Sequence, residues 1–244
     1  MAEKQDSASL GTFSRILFVT GLMILLLFAV KATAAVPSPG VNKALSKTSI
    51  ARIADLRSKG PKVYGELRTV AFDPEKPYQI RWRALMSLAW MGQKESKQDL
   101  ELALKSKDWF MRDGALLALS QIDSVSAKIW ARKLLADPAL VVRTTAVKVI
   151  RRLNDTESET QLWGELYRKI NYRGNQSLWV RRHIVETLAE FSSQGTEKKF
   201  AVLLDDPDQS LHLPAMRALE RLTGKKPGRA SRLFWKTWAK NNFQ

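Results

Sequence analysis

From about residue 47 to the C-terminus, apolar residues recur at spacings of three and four, and no stretch sustains the alternation of a strand. The clearest segment is "DPALVVRTTAVKVIRRL", residues 137–153. Asp-Pro opens it, and Val142, Ala146, Val147, Ile150 and Leu153 then fall on one helical face. Glycine and proline lie mostly between the periodic segments, so the pattern predicts helices joined by short turns.

One polar residue, Arg143, stands beside this apolar stripe. Four other segments repeat the arrangement: "QIRWRALMSLAWM", "FMRDGALLALSQI", "WVRRHIVETLAEF" and "SLHLPAMRALERL". Their basic positions are Arg81, Arg112, Arg181 and His212, so with Arg143 the steps along the chain are 31, 31, 38 and 31. A fixed period of this size marks a helical solenoid. Six residues before each basic position stand Glu75, Ser106, Asp137, Asn175 and Asp206. Four of these are strong N-cap types, whose side-chain oxygen accepts from free amides at a helix start. A cation in the first turn opposes the helix dipole. A cap within reach, its own or a neighbour's, offsets this. Stacked repeats would align these groups into an Asp/Asn–Arg ladder.

The motif Asp-Pro-x-x-x-V-R-x-x-A-V/L-x-x-L resembles the second helix of a HEAT repeat, including its bacterial lyase-type variants. The resemblance covers about residues 60–223. It implies an all-α fold, a right-handed α-solenoid of about five HEAT-like helix pairs with N- and C-terminal capping helices. The second helices would line the concave face, and turn Asp and helix Arg would bond between repeats. Two departures stand out. Seven extra residues precede Arg181, which lengthens either the first helix of that repeat or its loop. His212 replaces the arginine, and Pro214 follows inside the motif, so that helix is expected to start late or to kink. The tail "LTGKKPGRASRLFWKTWAKNN" resembles the ending of some bacterial HEAT proteins, with Trp235 and Trp238 sealing the open core.

The first 46 residues are a different material. "ILFVTGLMILLLFAV", residues 16–30, carries no charge, follows Arg15 and precedes Ala32-Thr33-Ala34. This describes either a secretory signal peptide cleaved before Ala35 or an N-terminal membrane anchor. The expected organisation is residues 1–34 as signal or anchor, 35–46 as a Pro/Gly/Ser linker and 47–244 as the solenoid. Either version of the first segment places the solenoid in the periplasm or on the outer face of the cytoplasmic membrane.

The chemistry available is sparse. The absence of cysteine excludes disulfides and thiolate nucleophiles, and only His183 and His212 could offer imidazole. "GKKPG" lacks the spacing of a phosphate loop. No catalytic residue, metal site or cofactor is expected. Trp90, Trp130 and Trp163 fit helical stripes as core. Trp82, Trp109 and Trp179 flank the ladder cations and are also assigned to packing, the alternative being a stacking surface beside Arg83 or Arg182. The net charge of +16 calls for an anionic partner or surface. Arg83, Lys148, Arg152, Arg182, Arg217 and Arg221 lie off the buried stripe and form the expected basic concave face, interrupted by Asp113, Glu186 and Glu190. The expected function is a non-enzymatic scaffold or adaptor of the bacterial cell envelope. Its partner would be a protein, with an anionic polymer or the membrane surface as other candidates. The alternative is a nucleic-acid-binding protein similar to HEAT-like DNA glycosylases, which the export segment opposes. A bilin-lyase-like accessory role, suggested only by the repeat variant, offers no site.

Overall fold

The computed structural model describes residues 39–243, apart from 48, 92–94 and 228–231. The signal or anchor segment at 1–34 and the start of the expected linker lie outside the described residues. Two short helices come first, α1 (Pro39–Leu45) and α2 (Ser49–Ser58). Five helix pairs follow: α3 (Val63–Phe72) with α4 (Tyr78–Trp90), α5 (Ser96–Ala103) with α6 (Trp109–Ile122), and α7 (Ser124–Leu134) with α8 (Leu140–Arg152). The last two are α9 (Glu159–Leu166) with α10 (Val180–Phe191) and α11 (Glu197–Val202) with α12 (His212–Thr223). The second helices α4, α6, α8, α10 and α12 pack one on the next in chain order, and α13 (Arg232–Phe243) closes against α11 and α12. This is the all-α solenoid of HEAT-like pairs that the period predicts.

The stripe explains the stacking. Val142, Ala146, Val147 and Ile150 are all buried, and Ala84, Ala115, Ala146 and Ala215 occupy the same place in four repeats with no exposure. A methyl group at that place lets consecutive second helices approach closely, and one hydrophobic cluster runs from Val41 to Trp235.

The linker assignment needs correction. Residues 39–45 form a helix, and Val41, Ala44 and Leu45 are buried in the common core. Pro39 and Gly40 look like chain breakers in the sequence. Proline is nevertheless suited to the first helical position, where its missing N–H would be unbonded anyway.

The two departures are also resolved. The extra residues before Arg181 do not lengthen α9. They build a 3-10 turn at Lys169–Asn171 and a two-stranded antiparallel hairpin, β1 (Tyr172–Arg173) and β2 (Gln176–Ser177). Gly174, at φ +60, supplies the positive dihedral that its two-residue turn requires. α12 starts late rather than kinking. A 3-10 turn at Gln209–Leu211 precedes it, so Pro214 lies in the first helical turn, where no intrahelical N–H bond is lost. At the C-terminal end, Trp235 is fully buried and meets Phe234 and Trp238 edge-on at 5.1 and 5.6 Å. The cap expected of this tail is in place.

Candidate functional site

The ladder runs along the edge where the second helices begin. Arg81 Nη1 donates to Asp108 at 2.9 Å, and Arg112 holds Asp137 through two bonds of 2.6 and 2.7 Å. Arg143 Nε donates to Asn171 Oδ1 at 2.8 Å, and Arg181 Nη2 to Asp206 at 2.6 Å. Each cation thus reaches forward to the turn of the next repeat. Each also reaches back to carbonyls at the start of its own repeat's second helix or the end of its first. Arg112 bonds the carbonyls of Ser106 and Lys107, Arg143 those of Asp137 and Pro138, Arg181 that of Leu166 and Arg81 that of Ala71. His212 Nε2 meets the Asp206 carbonyl at 2.9 Å, and its Nδ1 faces Arg232 at 3.2 Å, so the last rung ties to the capping helix instead of a further repeat. Planar guanidinium, with five donors, satisfies such a divided set of acceptors.

Three details differ from the sequence reading. Asp108 and Asn171, rather than Ser106 and Asn175, carry two of the rungs. Asn175 sits exposed at the hairpin tip, and Glu75 is exposed in its turn. Asp137 and Asp206 are not N-caps. Each accepts from the backbone N–H two residues on, at Ala139 and Asp208, forming a turn ahead of the helix. The register error arose because a turn-forming Asp and a capping Asp share one composition. Phe110, lying 5.0 Å from the Arg81 guanidinium, and Tyr172, 4.5 Å from that of Arg181, add aromatic faces to two rungs.

A second seam joins the first helices and was missed. Arg68 donates to Asp99, to which Tyr64 also donates. Lys97 pairs with Asp123 at 2.7 Å, and Arg132 binds Asp155 through two nitrogens and reaches Glu157. Lys97 and Ser126 hold the Asp123 carboxyl down at about 2. Burial pushes Asp155 up, but hydrogen bonds from Arg132 and Ser158 outweigh it and leave the group below its ordinary value. The separations along the chain, 31 for Arg68–Asp99 and 23 for Arg132–Asp155, vary with loop length. No fixed period therefore reveals this seam in the sequence.

The six residues expected to form a basic face are not gathered into one uncompensated patch. Arg83 donates to the Leu45 carbonyl and Arg152 to Ser120 Oγ. Arg182 pairs with Glu186, and Arg221 donates to the carbonyls of Ala189 and Ser192. Glu186 is also shared with His183 and Arg151. Lys148 and Arg217 are exposed, and among the described residues they form no ion pair.

The tryptophans divide differently from expectation. Trp163 is buried and Trp130 partly so, but Trp90 is 44% exposed and Trp179 is 60% exposed. Trp109 also reaches solvent. Trp90 ends α4 on the side facing α2, and with Trp82 and Met86 it forms one wall of a cavity of about 560 Å³. Ile53, Ala54 and Arg57 of α2 form the opposite wall, beside the buried Arg52. Arg57 Nη2 donates to the Trp90 carbonyl at 2.9 Å and so ties the two helices together. Burial and the nearby charge of Arg83 lower the pKa of Arg52 from its ordinary value. The sequence signal for this pocket was the pairing of Trp82 with Arg83; Trp90, Met86 and α2 had no such signal.

Among the described residues no helix is long and apolar enough to cross a membrane. No curated protein matches the chain. Residues 66–157 match the family of HEAT repeats, a span reaching from α3 past the end of α8. Repeats of this family act in general as scaffolds and interaction surfaces rather than as catalysts. Residues 66–157 are thus HEAT repeats, and the same consecutive helix pairs and ladder continue beyond them to Asp206.

Proposed function

We propose that this protein is a non-enzymatic scaffold of the bacterial cell envelope that holds a protein partner on the face formed by its second helices. One observation carries the reading. Along that face most polar side chains are consumed by bonds within the molecule, while Trp82, Met86 and Trp90 at one end and Lys148 and Arg217 further along stay available. Aromatic and arginine side chains of this kind concentrate binding energy in protein interfaces. The envelope location rests on the sequence of residues 1–34, and the mature solenoid would act in the periplasm or on the outer face of the cytoplasmic membrane.

The test places a photo-crosslinking amino acid at Lys148 on the second-helix face and, as control, at Ile129 on the exposed side of α7. In intact cells the Lys148 position should yield a discrete protein adduct in the envelope fraction, and the Ile129 position should not. Equal labelling from both positions, or recovery of full-length soluble protein in the cytoplasm, overturns the reading.

A further inference from the structure

The first repeat differs from the other four at the positions that face outward from the second helices. Five residues after the ladder cation stand Met86, Leu117, Lys148, Glu186 and Arg217; nine after it stand Trp90, Gln121, Arg152, Glu190 and Arg221. Only the first repeat has a large apolar residue in both rows. A terminal repeat is expected to present a polar outer face. Here α2 covers this end yet leaves the cavity of about 560 Å³ between Arg57 and Trp90.

The cavity wall is held in shape. Gly114 has no Cβ, and one placed there would lie 2.7 Å from Trp82 Cδ1, so the indole occupies the notch that the glycine leaves. Asp113, itself buried, accepts from Trp82 and from Thr145 Oγ1 at 2.5 Å. Three successive repeats thus fix one ring before any ligand arrives, which lowers the entropy lost on binding. The charge is one-sided. Arg52 and Arg57 are lining residues, Arg83 lies near, and no carboxylate is among the described residues that line the cavity. Arg57 spends one of its five N–H donors on the Trp90 carbonyl.

We infer that the Trp82–Trp90–Arg57 cavity receives a large apolar side chain of the partner protein, carried on an acidic segment whose carboxylates meet the rim arginines. The volume suits one aromatic side chain with its neighbours. Charge complementarity selects an acidic rather than a basic flank. This rests on the scaffold reading and specifies the partner's chemistry.

The probe is a fluorescein-labelled peptide with one tryptophan flanked by glutamates, titrated against the full chain and followed by anisotropy. Its twins carry alanine for tryptophan, or lysines for the glutamates. The first peptide should bind about tenfold more tightly than either twin. Trp90→Ala and Arg57→Glu should each remove most of that advantage, while Lys225→Glu, in the tail away from the second-helix face, leaves it. Both altered residues are exposed, so melting midpoints report whether the fold is intact, and the Arg57 variant decides the matter if Trp90→Ala does not fold. Equal affinity for the alanine twin, or discrimination that survives both pocket variants, overturns the proposal. So does binding of phosphatidylglycerol vesicles through Trp90 when the peptide fails to bind, since the pocket would then serve lipid. If Lys148 adducts persist while the peptides are not distinguished, the pocket proposal fails and the scaffold stands. If adducts are absent while the peptides are distinguished, the scaffold reading alone fails.

Discussion

The ladder edge and the second-helix face both carry cations on the same second helices, yet they treat charge in opposite ways. At the edge, Arg143 and Arg181 are 2% and 1% exposed, and the acceptors around them come from two repeats. On the face, Lys148 and Arg217 stand in solvent, and Arg182 has only a partly exposed glutamate of its own helix. A buried cation must be surrounded by acceptors because desolvation is costly, whereas an exposed one is satisfied by water. Net charge alone therefore does not locate a binding surface here: many of the arginines behind the +16 are consumed in holding repeats together.

The largest effect should come from the edge. Arg143→Ala leaves Asn171 Oδ1 and the carbonyls of Ile170, Asp137 and Pro138 without their donor, and should cost about 3 kcal/mol. Lys148→Ala should stay within about 0.5 kcal/mol. Chemical denaturation of the two variants makes the comparison, and equal midpoints would erase the distinction between the regions.

Acid should weaken the seams next. The carboxyls of Asp123 and Asp155 lie below their ordinary values in the folded state. The stability they contribute is present above the unfolded value near 4 and is lost as pH falls through the folded values, toward about 2 for Asp123. Asp113 behaves in the reverse sense. Burial raises its carboxyl despite bonds from Thr145 and Trp82, so its contribution is complete at low pH and lost as pH rises through the raised value. Thermal melts from pH 6 to pH 2.5 should fall less steeply for Asp155→Asn than for the native chain. An unchanged slope would show that the Arg132–Asp155 pair does not couple the repeats.

A smaller contrast tests the face itself. Arg221 bridges to α10 through the carbonyls of Ala189 and Ser192, so Arg221→Ala should cost about 1 kcal/mol, and Arg217→Ala should be close to neutral. Matching melting curves would place Arg221 with the free cations. The smallest expected effect is on polyanion binding. Reversing Lys148 and Arg217 to glutamate should weaken heparin binding a few-fold more than reversing Lys225 and Lys226, with steep salt dependence in every case. Equal losses from the two pairs would mean that charge acts globally and that the face has no local affinity.

How much of this was legible beforehand follows from what repeats and what does not. The ladder cations recur because each second helix meets the next in one register, so Arg81, Arg112, Arg143 and Arg181 could be found by period alone. Their partners could not all be found. Asp108 and Asn171 occupy turns of different length, so the separation from each cation to its partner is not fixed, at 27 for Asp108 and 28 for Asn171 against 25 for Asp137 and Asp206. The pocket was hidden more deeply. Trp90 has the helical spacing of a core residue, and only the partial cover provided by α2 leaves it exposed.

The sequence by itself determined the helical period, the five-fold recurrence, the buried alanine stripe and the aromatic cap at Trp235. These features depend on side-chain spacing, within a helix or from one repeat to the next, and that spacing is written directly in the chain. Tertiary structure alone decided which carboxylate or carbonyl each arginine meets, that residues 39–45 join the core, and which tryptophans stay open. Those outcomes depend on how far one element stands from another, and loop geometry and packing set that distance rather than residue spacing.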